Sequence, residues 1–144
     1  MPKVLLVEDN PDDRELTLEA FRQRGMAEEI AMVNDGAAAL DYLFGRNQYA
    51  DPRPETPVVV LLDLNLPKLN GSQVLAAIRN NPQTRDLPVV ILTTSNQQED
   101  KKTCYDLGAN SYVRKPVEYE AFRRVAQELQ IYWLEINEQP TGET

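Results

Sequence analysis

Glu8 and Asp9 follow the apolar run Val4 to Val7, Asp63 closes the run Val58 to Leu62, and Lys115 stands directly before Pro116. Three carboxylates gathered with one ammonium make an oxygen-rich site that suits Mg²⁺ and a phosphoryl group. Mg²⁺ keeps an octahedral shell of hard oxygen ligands and combines a few carboxylates with waters and phosphate oxygens. Asp9 and Asp63 are the expected direct ligands, Glu8 acts directly or through water, and the backbone carbonyl of Asn65 is placed to join them. Two carboxylates about 4 Å apart repel by roughly 4 kcal/mol at an effective dielectric of 20, so such a cluster needs a cation or a proton. An aspartate there can also be a nucleophile that forms an acyl phosphate, with Lys115 as the fixed cation and the Thr93 hydroxyl as a donor to a phosphoryl oxygen.

Each residue also has an ordinary role when taken alone. Asp9, beside Asn10 and Pro11, suits a helix N-terminus; Asp63, before Leu64, Asn65, Leu66 and Pro67, suits a turn leaving a sheet. Lys115 suits a solvated surface, Thr93 an ordinary β-branched strand position, and Tyr112 an edge-strand aromatic. The chemical reading depends on elements that bring these positions to one rim.

Apolar runs of strand length alternate with segments of helical periodicity, the pattern of a parallel sheet covered on both faces. Val4 to Val7, Val58 to Leu62 and Val89 to Leu92 read as central strands, while Ile30 to Val33 and Tyr112 to Val113 are more polar and belong at the edges. Asn10 caps a first helix with Pro11 at its first position and Leu16, Ala20 and Phe21 inward; Gly25 ends it. A second helix opens near Asp35 with Ala37, Leu40 and Phe44 inward, and a third near Asn70 with Val74, Leu75 and Ile78. A fourth spans about Gln97 to Leu107. The last carries Phe122, Val125, Ala126, Leu129, Trp133 and Ile136 as one stripe, with Ile131 and Leu134 off it as an outward apolar face for another chain or as scattered surface residues. The fold class is therefore α/β, a five-stranded parallel sheet doubly wound as (βα)5. Its crevice lies at the carboxyl ends of the strands, where Glu8, Asp9, Asp63 and Thr93 all fall.

With 144 residues the chain suits one domain. Its expected extent is 3–130, with 131–144 as the end of the last helix and a disordered tail from Gln139 to Thr144. The net charge of −8 disfavours nucleic acid and anionic lipid, and no apolar run is long enough to span a membrane. The single Cys104, which has no partner for an intramolecular disulfide, points to a reducing, cytoplasmic setting, and the absence of histidine leaves any phosphohistidine to a partner. The stretch Gly45 to Pro57 holds three prolines without periodicity, either a partner-facing feature or a tolerated insertion. The Lys115 to Pro116 step after the short strand Tyr112 to Val113 aims Lys115 at the rim, and a cis bond at Pro116 is expected there.

The segments VLLVEDNPDD, VVVLLDLNLPKLNG, VVILTTS and SYVRKP resemble, in order and spacing, the signatures of response-regulator receiver domains of two-component signalling, which have the flavodoxin-like (βα)5 fold. The resemblance implies that Asp63 accepts the phosphoryl group, that Glu8 and Asp9 form the Mg²⁺ pocket, and that Lys115 pairs with the phosphate. Thr93 and Tyr112 match the family's switch pair, in which Tyr112 turns inward as Thr93 moves toward the phosphoryl group. Asn65 and Ser95 match positions that tune acyl-phosphate lifetime. Because only a short tail follows the fifth helix, the chain resembles the single-domain class. The segments DYLFGRNQYADPRPETP and IYWLEIN resemble the regulators that serve bacterial phytochrome kinases. A sensor histidine kinase of phytochrome type and a second copy, bound through the C-terminal helix region, are the implied partners.

Three rival readings fit parts of the same pattern. A flavodoxin-like FMN protein needs a phosphate loop of exposed N–H groups, whereas Glu8, Asp9, Asp12 and Asp13 repel an anion without a metal. A Mg²⁺-dependent phosphatase of the haloacid-dehalogenase type has its general acid two residues past the nucleophile, where this chain has Asn65, which cannot shuttle a proton. A degenerate scaffold receiver has no use for the intact acidic set. The expected activity is a self-phosphorylating and self-dephosphorylating switch, not a turnover enzyme.

Overall fold

Consecutive Val, Leu and Ile side chains on a strand point alternately to both faces, so these runs are stable only where helices cover the sheet twice. A computed structural model describes residues 2–139. The strands β1 (Val4–Val7), β2 (Ile30–Val33), β3 (Val59–Leu62), β4 (Val89–Thr93) and β5 (Ser111–Arg114) form one parallel sheet in the order β2-β1-β3-β4-β5. The five α-helices are α1 (Pro11–Gln23), α2 (Gly36–Phe44), α3 (Gly71–Asn80), α4 (Gln98–Asp106) and α5 (Tyr119–Ile131). Leu5, Val7, Val60, Leu62 and Ile91 meet α2, α3 and α4 on one face, while Val4, Leu6, Val59, Leu61 and Val90 meet Phe21 of α1 and Trp133 beyond α5 on the other. β1 and β3 are neighbours in register, Val7 beside Leu62, which brings the residues that follow them together.

The caps explain where the helices start. Asn10 accepts from the N–H groups of Asp12 and Asp13, Asp35 from Ala38, and Asn70 forms a capping box with Gln73. Gly71 lets α3 close onto the end of β3: a Cβ there would lie 2.3 Å from the Asp63 carbonyl oxygen. At Gly36 a Cβ would lie 2.2 Å from the Leu69 carbonyl oxygen, so α2 is locked against the loop that follows β3.

That contact sets the rotation of α2. Its buried positions are Gly36, Ala39, Tyr42 and Leu43, not Ala37; Leu40 and Phe44 pack only on the flank. In α1, Thr17 takes the buried position expected for Leu16, its hydroxyl donating to the Asp13 carbonyl so that it enters the core already paired. The stripe on the last helix holds through Trp133 and then fails. Tyr132–Ile136 is π-helical, with Asn137 N–H reaching the Tyr132 carbonyl, and the wider turn rotates Leu134 onto the core and leaves Ile136 61% exposed. Lys115–Pro116 is trans; among the described residues the cis peptide is Asp51–Pro52. Within the long Gly45 to Pro57 stretch, Tyr49 packs edge-on to Tyr42 at 5.0 Å. The tail expected to be disordered lies, from residue 140 on, outside the described residues. Among those residues no helix is long and apolar enough to cross a membrane.

Candidate functional site

Each rim residue is aimed by one ladder bond beyond its strand. Glu8 N–H reaches Val33 O at 3.0 Å, Asp63 N–H reaches Val7 O at 3.1 Å, and Lys115 N–H reaches Thr93 O at 2.6 Å. With the backbone fixed to the sheet, Lys115 sends its ammonium from β5 across the rim and donates to Glu8 Oε1, to Asp13 Oδ2 at 2.9 Å and to Asp63 Oδ2 at 3.0 Å. All three ammonium protons are then used. Glu8, Asp63 and Lys115 are 2%, 7% and 5% exposed, while Asp9 stands exposed at the mouth. Glu8, Asp9 and Asp63 each offer an oxygen within 4.8 Å of the others.

The remaining lone pairs are ordered by backbone. Asn10 N–H donates to Glu8 Oε2 at 3.2 Å and Asn65 N–H to Asp63 Oδ1 at 3.3 Å. Arg14 donates to the Glu8 carbonyl at 3.0 Å, tying α1 to the end of β1. Thr93 is fully buried and its hydroxyl accepts from Ser95 N–H at 3.4 Å. Tyr112 is half-buried and inward, its hydroxyl donating to the Ser95 carbonyl at 3.1 Å.

The electrostatics are those of a crowded acid site. Four carboxylates, from Glu8, Asp9, Asp13 and Asp63, face one ammonium. Burial pushes the Glu8 carboxyl up to about 7, and the nearby Asp63 charge adds to the rise against the hydrogen bond from Lys115. For Lys115, burial alone would favour the neutral amine, but the bonds to Glu8 and Asp13 and the charge of Asp63 outweigh it and raise its pKa. An oxygen-only donor set with excess negative charge fits a hard divalent cation.

The structure therefore gathers Glu8, Asp9, Asp63 and Lys115, and sets Thr93, Asn65 and Tyr112 around them. Asp13 was missed. In sequence it is one of two acids in a first helical turn, a common place for them, and only the reach of Lys115 from the end of β5 toward α1 gives it a partner.

The response regulator receiver domain family matches residues 4–127. The chain belongs to this family. Among curated receiver relatives, the probable methanogenesis regulatory protein FilR2 of Methanothrix harundinacea is 40% identical over 95% of this chain and 86% of its own. Response regulator Rcp1 of Synechocystis is 39% identical over 93% of this chain and 90% of its own. The solved phosphorylated cyanobacterial phytochrome response regulator RcpA superposes with a TM-score of 0.90 at 36% identity, covering 96% of this receiver and 98% of RcpA. An Mn(2+)-bound form of Rcp1 does so with a TM-score of 0.88 at 37% identity over 96% and 99%. The expected flavodoxin-like (βα)5 receiver fold and the signalling-switch class are thus established, and the flavodoxin and phosphatase alternatives are not favoured.

Proposed function

We infer that this receiver accepts a phosphoryl group on Asp63 from the phosphohistidine of a partner sensor histidine kinase. The observation that carries the reading is the Lys115 ammonium held at 3.0 Å from Asp63 Oδ2 beside the clustered oxygens of Glu8, Asp9 and Asp63. A carboxylate oxygen of Asp63 attacks phosphorus, the P–N bond to the imidazole breaks, and the imidazole keeps the electron pair. Lys115 stays near the transferred oxygens, while Thr93 donates its hydroxyl to one of them. Mg²⁺ would be held by Asp9, Asp63, the Asn65 carbonyl and Glu8 directly or through water, and would supply charge neutralisation at the phosphoryl oxygens. Glu8 and Asp13 hold the ammonium in place before transfer.

Water later cleaves the acyl phosphate, so the chain is a switch and not a turnover enzyme; Asn65 offers no general acid for outside substrates. Output is a change in protein contacts as Thr93 and Tyr112 respond. The kinase is of phytochrome type, a reading supported by the relation to RcpA and Rcp1. A second copy binds through the C-terminal helix region, whereas the net charge of −8 disfavours nucleic acid and membrane surfaces. The compartment is the cytoplasm.

The test is to incubate wild type and Asp63→Asn with a small acyl-phosphate donor and Mg²⁺ and follow intact mass. Wild type gains one acid-labile phosphoryl group that chelation of Mg²⁺ prevents, and Asp63→Asn gains none. Equal labelling of both proteins overturns the assignment.

A further inference from the structure

Helix α4 is thinly attached. Cys104 is its sole buried residue, and no side chain caps its N-terminus. Beside it, a cavity of about 190 Å³ separates Asp100, Thr103 and Cys104 of α4 from Leu64, Asn65 and Asn70, so packing does little to hold the first turn. A helix with one buried anchor takes its position from whatever polar ties it keeps.

One such tie runs to the loop that follows β4. The Ser95 hydroxyl donates to Asp100 Oδ2 at 2.5 Å, and Asp100 lies in the first turn of α4. Ser95 is also where the expected switch pair meets. Its N–H donates to the Thr93 hydroxyl at 3.4 Å, and its carbonyl accepts from the Tyr112 hydroxyl at 3.1 Å. Backbone N–H, backbone carbonyl and side chain of one residue thus point to β4, β5 and α4. Asp100 does not touch the reacting atoms; it reaches them only through Ser95 and Thr93.

Resting on the switch reading of Asp63, we propose that Asp100 is a positioning residue: by holding the Ser95 hydroxyl it makes the first turn of α4 follow the state of Thr93 and Tyr112. A hydrogen bond to a charged acceptor is among the stronger single ties available, and α4 has no buried neighbour at that end to replace it. Loss of the tie uncouples α4 from the loop while leaving the carboxylates, Lys115 and Thr93 in place.

The test is amide hydrogen exchange along α4 in wild type, Ser95→Ala, Asp100→Ala, Asp100→Asn and the double alanine variant, at rest and with acetyl phosphate plus Mg²⁺. At rest, each single alanine variant speeds exchange of the first hydrogen-bonded amides of α4, from Lys101 onward, about tenfold, the double variant is no faster than either, and Asp100→Asn, which keeps an acceptor, stays near wild type. With the donor present, the change in α4 exchange seen in wild type shrinks in Asp100→Ala although its intact mass shows phosphoryl uptake. Additive effects of the two substitutions, or an undiminished donor-induced change, overturn the proposal, the latter because a merely structural contact loosens both states alike. Failure of wild type to take up phosphoryl would sink the Asp63 reading instead, and the resting exchange would still decide whether Ser95 and Asp100 act as one unit.

Discussion

Lys115 is the residue on which the rim depends, since removing a buried cation leaves its carboxylates facing one another. Lys115→Ala should lower the stability of the metal-free protein by about 3 kcal/mol, moderated by proton uptake on Glu8. Asp63→Asn acts in the opposite direction: it removes one of four acids and keeps the bonds from Lys115 to Glu8 and Asp13, so it should raise stability by about 1 kcal/mol under the same conditions. Urea unfolding of both variants in chelator checks this, and a shift of the same sign in the two would break the argument. Cys104 is the contrasting case of an inert polarizable group. Burial, and behind it the charge of Asp100, push its thiol up to about 11 from an ordinary 9, so its thiolate fraction at pH 8 falls by about two orders of magnitude. Alkylation at pH 8 should be slow in the folded protein and become fast in urea; rapid labelling of the folded protein would contradict the burial of this side chain.

At the level of elements, the strands were legible because their signal is local: Val4 to Val7 and Val89 to Leu92 are apolar at every position, which only a doubly covered strand explains. Caps were legible for the same reason, since Asn10, Asp35 and Asn70 act on N–H groups two or three residues away. The rotation of α2 and the π-helical end of the last helix were not, because they follow from the contact of Gly36 with Leu69 and from a wider turn at Tyr132 that no periodicity encodes. Asp13 was hidden likewise, its partner lying 102 residues away. Arg79, at the end of α3, donates to the Leu87 carbonyl at 2.7 Å, the Gly108 carbonyl at 2.9 Å and Asn110 Oδ1 at 2.9 Å, joining the α3–β4 and α4–β5 connections at the far end of the sheet. Arg79→Ala should cost about 2 kcal/mol, whereas Arg79→Lys recovers only part because one ammonium cannot span the same fork. In α5, Gln130 is buried with Oε1 unpaired, so Gln130→Leu should stabilise by about 1 kcal/mol, read as a rise in Tm of a few degrees.

For the molecule as a whole, charge and apolar exposure pull self-association in opposite directions, and that opposition makes the proposed dimer testable. Two copies at −8 each repel through solvent, an effect that shortens from about 30 Å at 0.01 M salt to about 10 Å at 0.1 M. Against it stand Tyr132 and Ile136, 45% and 61% exposed on the π-helical turn that ends the last helix, where a second copy can cover both. Apolar burial does not weaken with salt, so the balance tips as repulsion is screened. The dimer fraction measured by light scattering should therefore grow between 0.02 M and about 0.5 M salt, the reverse of what an ion-paired interface would do. Ile136→Glu places a charge within that surface and should hold the protein monomeric throughout this range while leaving phosphoryl uptake at Asp63 unaltered, because the last turn lies at the other end of the helix from the rim. A dimer that dissolves as salt rises, or one that tolerates Ile136→Glu, would place the interface on charged surface elsewhere on the molecule.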